Sequence, residues 1–217
     1  MTLEIDNIEL SFADRKILYG IYLKAETGKV TGILGRNGCG KTSLLRILFG
    51  SLKAKYGNIR IDGVHQNRKL YSIDCIAYLP QHQLLPDNLK LREAFRFFDV
   101  DWLNFSSLFT AFRAYEKDNA KSLSSGELRL VETYLILNSK KPVILLDEPF
   151  SFIAPVLVER MKDLIKQKQK ESAIVMTDHF YRDILEVSDT VYFLKDGYSK
   201  LIHSTQELEE EGYLNLG

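Results

Sequence analysis

The chain has 217 residues, a length that suits one large domain with a substantial core. Lysine plus arginine and aspartate plus glutamate number 29 each, so no overall charge indicates nucleic acid or an acidic surface as the main partner. Cys39 and Cys75 lack metal-ligand spacing, which fits a reduced compartment and disfavours a disulfide framework. The first residues have no signal-peptide pattern, and no window approaches the roughly 20 apolar residues that span a bilayer. We therefore expect any membrane role to come through a partner.

The N-terminal part of the chain predicts β-structure. Apolar residues roughly alternate over 3–12, and a strand pattern resumes over 17–23. A turn at 26–29 precedes the apolar run 30–34, and a short hairpin-like piece follows at 56–63. This order predicts an antiparallel β segment that leads into a βα unit.

Residues 35–42, with the sequence GRNGCGKT, fit the phosphate-binding pattern G-x-x-x-x-G-K-[ST]. A predicted strand precedes them and a helical pattern over 43–48 follows. This strand-loop-helix context favours a phosphate-binding loop over a glycine-rich turn that matches the pattern by chance. Glycines let successive N–H groups turn inward around a phosphate, and the helix start adds unpaired N–H groups. Lys41 is expected to reach the β- and γ-phosphates, and the Thr42 hydroxyl to ligate Mg²⁺. The predicted nucleotide-binding residues of this loop are Gly35, Asn37, Gly38, Cys39, Gly40, Lys41, Thr42 and Ser43.

The apolar run 143–146 ends in two carboxylates, Asp147 and Glu148. Such a run suits a central parallel strand that is covered on both faces, and its carboxyl end then lies beside the phosphate-binding loop. We expect Asp147 to hold Mg²⁺ through water and Glu148 to polarise an attacking water. The alternative is a solvated Asp-Glu-Pro turn, which the preceding strand and the loop disfavour.

Two shorter apolar runs also end in polar residues. Gln81 follows the run 75–79, and its position alone favours an ordinary exposed glutamine over a ligand contact. His179 follows the run 173–177, where a histidine is either structural or a donor to a γ-phosphate. The residues by themselves leave the histidine's two roles open.

The segment 87–125 has a different character. Leucine and aromatic residues recur there at roughly helical spacing, which predicts a small helical lobe inserted in the α/β core. An aromatic stripe at this spacing is more typical of core than of a binding surface, with one edge free to dock a partner helix. At the end of the segment, Ser124 and Glu127 form a capping-box pattern. A phosphate site at this helix start is the open alternative.

The order of these motifs resembles that of the ATP-binding cassette (ABC) ATPases over nearly the whole chain. The resemblance is carried by the phosphate-binding loop, Gln81, the segments 123–127 and 145–149, and the sequence 177–179. The residues 194–197 also look like a late β-turn of that family. Five motifs in the right order make the resemblance specific.

The resemblance implies a role for individual residues. Phe12 stands where the family has an aromatic that stacks on adenine, and Gln81 where a glutamine senses Mg²⁺ and the attacking water. His179 matches a histidine that contacts the γ-phosphate, and Glu148 matches the catalytic base. The implied catalytic set is Glu148, His179, Gln81 and Lys41, and the implied metal set is Thr42, Gln81 and Asp147.

The segment 123–127 resembles the family's signature, which contacts the ATP held by the opposite subunit. The residues implied in that contact are Ser124, Gly126 and Glu127. A single cassette in one chain therefore implies a homodimer or a paired second cassette. Ser125 and Glu127 replace a glycine and the glutamine of the usual signature, Ala154 replaces a loop aspartate, and the helical lobe is short. A carboxylate near a γ-phosphate adds repulsion, so these departures put the rate of hydrolysis and the coupling between sites in question.

The sequence thus predicts an α/β fold. Its P-loop NTPase core is a mostly parallel sheet with flanking helices, joined by an N-terminal antiparallel β subdomain and the inserted helical lobe, in a single ATP-binding domain over 1–217. The expected function is that of an ATP-binding and ATP-hydrolysing transporter subunit that uses ATP and Mg²⁺. The expected partner is an integral membrane permease subunit at the inner, cytoplasmic face of the cell membrane, and no nucleic acid partner is expected. The alternatives are a soluble cassette ATPase with a role in nucleic acid, cluster assembly or regulation, and a weakly hydrolysing cassette.

Overall fold

The computed structural model describes residues 1–214, which contain ten strands and seven α-helices. The strands are β1 (Thr2–Phe12), β2 (Arg15–Glu26), β3 (Val30–Gly35), β4 (Tyr56–Ile61), β5 (Val64–His65), β6 (Ile76–Leu79), β7 (Val143–Asp147), β8 (Ala173–Thr177), β9 (Thr190–Lys195) and β10 (Tyr198–Ile202). The α-helices are α1 (Lys41–Phe49), α2 (Leu91–Phe97), α3 (Trp102–Leu108), α4 (Ser125–Leu137), α5 (Pro155–Lys168), α6 (Tyr181–Val187) and α7 (Thr205–Glu210). Short 3₁₀ helices occupy Leu70–Ile73, Thr110–Lys117 and Ala120–Ser122.

The N-terminal strands form an antiparallel sheet of four strands in the order β2-β1-β4-β5. In the first part of β1, Leu3 and Ile5 face inward and are fully buried, while the residues between and beside them are more exposed. This alternation is that of a sheet with one face on the core. The predicted antiparallel β segment is therefore confirmed.

The second sheet has six strands in the order β10-β9-β3-β8-β7-β6. Strands β9, β3, β8, β7 and β6 are mutually parallel, and only β10 runs antiparallel to its neighbour. Every residue of β3, β7 and β8 is buried. Both faces of these strands are covered, one by α4 and α5 and the other by α1 and the antiparallel sheet, so the strands are mainly apolar rather than alternating. The predicted α/β fold with a mostly parallel sheet is confirmed.

Two hydrophobic clusters lie on opposite faces of this parallel sheet. Val143 and Leu145 of β7 join the cluster between the two sheets, which also contains the apolar residues of α1. Ile144 and Leu146 point the other way and join the cluster formed with α4 and α5. The side chains of a strand alternate between its two faces, so β7 contributes to both clusters.

The inserted segment is helical, as its spacing predicts. Phe95, Trp102 and Phe105 are buried and pack on one another and on α4 with ring centroids 4.9 to 5.5 Å apart. The core interpretation of the aromatic stripe is confirmed for these three residues. Phe97 and Leu103 are 83% and 74% exposed, so these two apolar side chains of the lobe lie on the surface. The limits of the lobe and the single domain remain predictions.

The register of the parallel strands decides where the polar residues meet. Asp147 at the end of β7 lies opposite Thr177 at the end of β8, and Leu79 at the end of β6 lies opposite Leu146. The carboxyl ends of parallel strands lie at one edge of the sheet, where open α/β folds bind ligands. Within residues 1–214, no helix is long and apolar enough to cross a membrane.

Candidate nucleotide-binding site

The phosphate-binding loop joins β3 to α1, as its sequence predicts. Gly38 has φ 77° and Gly40, the residue before α1, has φ 111°. These values lie in the left-handed region that other residues adopt only with strain. A Cβ at Gly40 would lie 2.7 Å from Leu18 Cδ2, so the loop needs glycine there for its packing as well as for its backbone.

Lys41 and Cys39 have different surroundings within the loop. The Lys41 side chain is buried, and its Nζ donates to the carbonyl oxygens of Gly35 at 2.7 Å and Arg36 at 3.3 Å. The backbone N–H of Cys39 donates to the Arg36 carbonyl at 3.2 Å. A Cβ at Gly35 would lie 2.6 Å from Cys39 Sγ, so the thiol packs against the first residue of the loop. Burial raises the pKa of this thiol. Any contact of Cys39 with a phosphate would therefore involve its backbone.

Asp147 is fully buried and is held by two hydroxyl groups. Thr42 Oγ1 donates to Oδ1 at 3.2 Å, and the Tyr78 hydroxyl donates to Oδ2 at 3.1 Å. Burial raises the pKa of Asp147, while these two hydrogen bonds oppose the shift. A buried carboxylate beside a threonine hydroxyl is an oxygen donor set of the kind that Mg²⁺ prefers.

Two other predicted site residues, Gln81 and His179, contact the side chain of Glu148. Gln81 Nε2 donates to Glu148 Oε1 at 2.8 Å, and His179 Nε2 lies 2.8 Å from the same oxygen. Ser151 Oγ donates to Oε2 at 3.3 Å. The backbone of Glu148 has φ 58°, a conformation that costs a non-glycine residue energy, and its N–H donates to the Thr177 carbonyl at 2.7 Å. The structure thus brings Gln81, Glu148 and His179 together.

An open cavity of about 470 Å³ joins the loop to these side chains. Its walls combine the loop, the start of α1, the Glu148 group and the exposed aromatic Phe12. The lining residues are Phe12, Ile17, Asn37, Gly38, Gly40, Lys41, Thr42, Ser43, Gln81, Glu148 and His179. All but Ile17 are residues that the sequence selects. Gly35 and Cys39 belong to the loop but do not line this cavity.

The segment that resembles the family signature lies outside the 470 Å³ cavity. Ser124 Oγ accepts from the Glu127 N–H at 3.3 Å, and Glu127 Oε2 accepts from the Ser124 N–H at 2.8 Å. The predicted capping box is confirmed. A Cβ at Gly126 would lie 2.1 Å from the Phe152 carbonyl oxygen, so close packing requires glycine there. The nucleotide contact of Ser124, Gly126 and Glu127 remains a prediction.

Sequence reasoning did not select several polar residues near the site. Tyr78 donates a hydrogen bond to Asp147, and Ser151 donates one to Glu148. Buried Asp178 accepts from the Phe150 N–H at 3.0 Å and the Phe180 N–H at 3.2 Å. Burial raises the pKa of Asp178, and these backbone N–H groups oppose the shift. Arg129 and Glu132 are also buried. A signal was available for this last pair, because two charges stand on an otherwise apolar stretch of α4.

The phosphate-binding loop and the carboxylates at the end of the neighbouring parallel strand define the class of this protein. It is a nucleotide-binding cassette with a P-loop core and an antiparallel β subdomain.

Comparison with known proteins identifies the family. The sequence model of the ABC transporter family matches residues 18–151. An uncharacterised ABC transporter ATP-binding protein of Methanocaldococcus jannaschii is 27% identical over 234 aligned positions, which cover 99% of this chain and 84% of that protein. A putative ABC transporter ATP-binding protein of Pyrococcus horikoshii is 32% identical over 203 positions, which cover 83% of this chain and 76% of that protein.

Solved structures agree on the fold. The structure of an ATP-binding subunit of an ABC transporter matches with a TM-score of 0.82 at 18% identity, covering 98% of this chain and 94% of that one. A nucleotide-free ATP-binding cassette from an ABC transporter matches with a TM-score of 0.78 at 23% identity, covering 97% and 94%. The chain belongs to the ABC transporter family and is an ATP-binding subunit of such a transporter. The resemblance found in the sequence is confirmed.

Proposed function

We propose that this ATP-binding subunit hydrolyses ATP to ADP and phosphate in a Mg²⁺-dependent reaction and that the reaction drives transport through a separate membrane permease. The observation that carries the proposal is the position of Glu148. Its carboxylate is held between Gln81 and His179 at 2.8 Å from each, and the three residues line one cavity with Lys41 and Thr42. A carboxylate in hydrogen-bond reach of the reacting group is what a general base requires.

Each residue of the cavity has a proposed role. The N–H groups of the loop and of the start of α1 bind the phosphates, and Lys41 Nζ exchanges its two carbonyl acceptors for phosphate oxygens. Thr42 and Asp147, together with Gln81, would hold Mg²⁺, which when bound would supply positive charge beside the phosphates. The exposed ring of Phe12 stacks on the adenine.

The reaction itself is assigned to the Glu148 group. Glu148 accepts a proton from the attacking water, while Gln81 orients that water and His179 donates to the γ-phosphate. The Gln81 amide donates to Glu148 Oε1, and His179 Nε2 lies 2.8 Å from the same oxygen. We expect His179 to exchange this contact for the γ-phosphate, while Gln81 keeps the carboxylate in the cavity. Phosphate release measured with Mg²⁺ and again with excess chelator tests this proposal. A rate that chelation leaves unchanged would contradict the metal dependence.

The proposed assembly has two cassettes and an integral membrane permease subunit. The support is family membership, since both relatives described above are named as ATP-binding proteins of ABC transporters. We expect the two cassettes to be two copies of this chain or a pair with a second ABC subunit. The chain would then lie at the cytoplasmic face of the membrane, held there by the permease.

Co-purification tests the permease. Tagged Glu148→Gln chain is isolated from its cells in mild detergent with ATP and Mg²⁺, and the proteins that co-purify in stoichiometric amounts are identified. A membrane protein with several spans supports the transporter function. Recovery of only soluble proteins or nucleic acid would contradict it and would support a cassette ATPase with a role outside transport.

A further inference from the structure

Arg129, a buried arginine of α4, donates hydrogen bonds to the main chain of both loops that carry catalytic residues, the Gln81 loop and the Glu148 loop. Arg129 is 6% exposed. Its Nε donates to the Glu148 carbonyl at 3.1 Å, its Nη1 to the Pro80 carbonyl at 2.7 Å, and its Nη2 to the Asp147 carbonyl. Pro80 precedes Gln81 in the chain, so one guanidinium group contacts the backbone on both sides of the hydrogen bond between Gln81 and Glu148.

Glu132 lies one turn further along α4 and holds the other end of the Gln81 loop. Its Oε1 accepts from the Leu84 N–H at 2.7 Å and from the Leu85 N–H at 2.9 Å, and its Oε2 lies 3.6 Å from Arg129 Nη1. The loop that carries Gln81 is therefore held at Pro80 by Arg129 and at Leu84 and Leu85 by Glu132.

The pair is costly to bury, and its hydrogen bonds go to the backbone of the loops that carry Gln81 and Glu148. Burial lowers the pKa of Arg129 and raises the pKa of Glu132, which shows the cost of removing both charges from water. An apolar replacement of the pair would also leave three buried carbonyl oxygens and two backbone N–H groups without these partners, so the pair determines the conformation of both loops. Within residues 1–214, the five hydrogen bonds of the two side chains with the backbone are made to residues of the two loops or to the ends of their strands. This selectivity indicates a function in the site.

We propose that Arg129, supported by Glu132, is a positioning residue for hydrolysis, which holds the backbones of Glu148 and of the Gln81 loop so that the two side chains meet. This inference rests on the proposed role of Glu148 as the base. The phosphate-binding loop makes none of the hydrogen bonds of Arg129 or Glu132 described above. The pair therefore acts on turnover and on the residues proposed to hold Mg²⁺, and it leaves ATP binding measured without Mg²⁺ intact.

Arginine is required because its planar group has N–H donors in several fixed directions. Lysine keeps the charge but presents one ammonium group, which cannot reach three carbonyls placed around a plane. A displacement of about 1 Å in a catalytic group costs on the order of 100-fold in rate. We expect Arg129→Lys to lower kcat at saturating ATP and Mg²⁺ by about 10- to 100-fold, with ATP affinity measured without Mg²⁺ within about twofold of the wild type.

The matched control is Arg160→Lys. Arg160 donates from Nη1 to one carbonyl, that of Leu108, at 2.8 Å, on the surface and away from the cavity. Rates are divided by the number of nucleotide-binding sites measured in the same sample. A purely structural role would lower the fraction of binding-competent protein and leave kcat per site unchanged. Unchanged kcat per site in Arg129→Lys would overturn the proposal.

A double-variant cycle then tests whether Arg129 acts through Glu148. In the Glu148→Gln background, adding Arg129→Lys should leave the residual rate unchanged within about twofold, because the base is already absent. An equal fold-loss in both backgrounds would overturn the proposal. If Glu148→Gln itself leaves turnover undiminished, the proposed function fails, and this outcome is distinct from a failure of the Arg129 inference.

A second variant decides the question if Arg129→Lys does not fold. In Glu132→Gln the amide oxygen still accepts from the Leu84 and Leu85 N–H groups, so the change falls on the side that faces Arg129, where a charged acceptor oxygen becomes an amide N–H₂ group. We expect a severalfold loss of kcat per binding site with unchanged ATP affinity measured without Mg²⁺. A kcat equal to that of the wild type would overturn the role of the pair.

Discussion

The hydroxyl of Tyr78 donates a hydrogen bond of 3.1 Å to Oδ2 of Asp147. Asp147 is fully buried, and its other oxygen accepts from Thr42. The Tyr78 bond favours the ionised carboxylate, since it opposes the rise in the pKa of Asp147 that burial causes. The strand β6 thus supplies a hydroxyl group that helps to keep the buried carboxyl group of Asp147 ionised.

We expect Tyr78→Phe to weaken the response to Mg²⁺. Removing the donor raises the pKa of Asp147 further, and a proton then competes better with the metal. The Mg²⁺ concentration for half-maximal hydrolysis should increase by roughly 3- to 10-fold, since a hydrogen bond to a charged group contributes on the order of 1 kcal/mol or more. The measurement is phosphate release over a Mg²⁺ titration.

Tyr71→Phe is the matched control for this prediction. The rings of Tyr71 and Tyr78 both pack on Phe49, with centroids 5.4 and 5.3 Å away, but Tyr71 is exposed. Loss of its hydroxyl should leave the Mg²⁺ dependence unchanged. Equal titration curves for Tyr78→Phe and the wild type would show that the hydrogen bond does not matter to the metal.

Gly38→Ala separates backbone strain from nucleotide binding. Gly38 has φ 77°, and a Cβ there would meet no atom within 4 Å, so the substitution costs conformational energy of about 1 to 2 kcal/mol without a clash. The loop can relieve that strain only by changing the direction of its N–H groups. We expect ATP affinity to fall by about tenfold, equal to 1.4 kcal/mol, in a titration followed by calorimetry.

Gly28→Ala provides the comparison. Gly28 has φ 95°, and again no atom lies within 4 Å of the built Cβ, but the residue belongs to the turn before β3. It should lose a similar amount of stability in urea unfolding and keep its affinity for ATP. An equal loss of affinity in both variants would mean that the effect of Gly38 is one of global stability.

Lys162 of α5 contacts three carboxylates, one on its own helix and two on α6. Its Nζ lies 2.8 Å from Glu159, 2.7 Å from Asp183 and 2.6 Å from Glu186. Burial lowers the pKa of Lys162, but the three hydrogen bonds outweigh that effect and raise it overall. Since Glu159 and Glu186 are more than half exposed, solvent screens their share.

We expect Lys162→Met to lower the free energy of unfolding by about 1 to 2 kcal/mol, after that discount. The measurement is urea unfolding at neutral pH. Lys166→Met on the same helix is the control, because Lys166 makes one ion pair, with Asp189 at 3.3 Å, and is partly exposed. Equal losses in the two variants would show that the three-carboxylate arrangement adds nothing.

The sequence is sufficient to predict the elements whose signals are local. The glycines and Lys41 lie in one continuous pattern, and the apolar runs of β7 and β8 specify buried parallel strands with polar ends. The meeting of Gln81, Glu148 and His179 follows because the carboxyl ends of parallel strands share an edge. The antiparallel segment and the capping box of α4 are also local, and both are present.

The contacts that sequence reasoning missed depend on register and packing. Tyr78 reaches Asp147 because β6 and β7 pair in one register, with Leu79 opposite Leu146. Arg129 reaches three carbonyls because α4 crosses the ends of two strands. Gly126 is required by the Phe152 carbonyl, 26 residues away in the chain. None of these separations produces a pattern in a single sequence.

Glu148→Gln tests the central claim most directly. The amide keeps the shape of the side chain but cannot accept a proton from water. The purified variant is compared with the wild type in ATP binding and in phosphate release, with Glu210→Gln on exposed α7 as the control. We predict that Glu148→Gln binds ATP with affinity close to that of the wild type and loses turnover by about 100-fold or more. Turnover equal to that of the wild type would contradict the assignment of Glu148 as the base and with it the proposed mechanism.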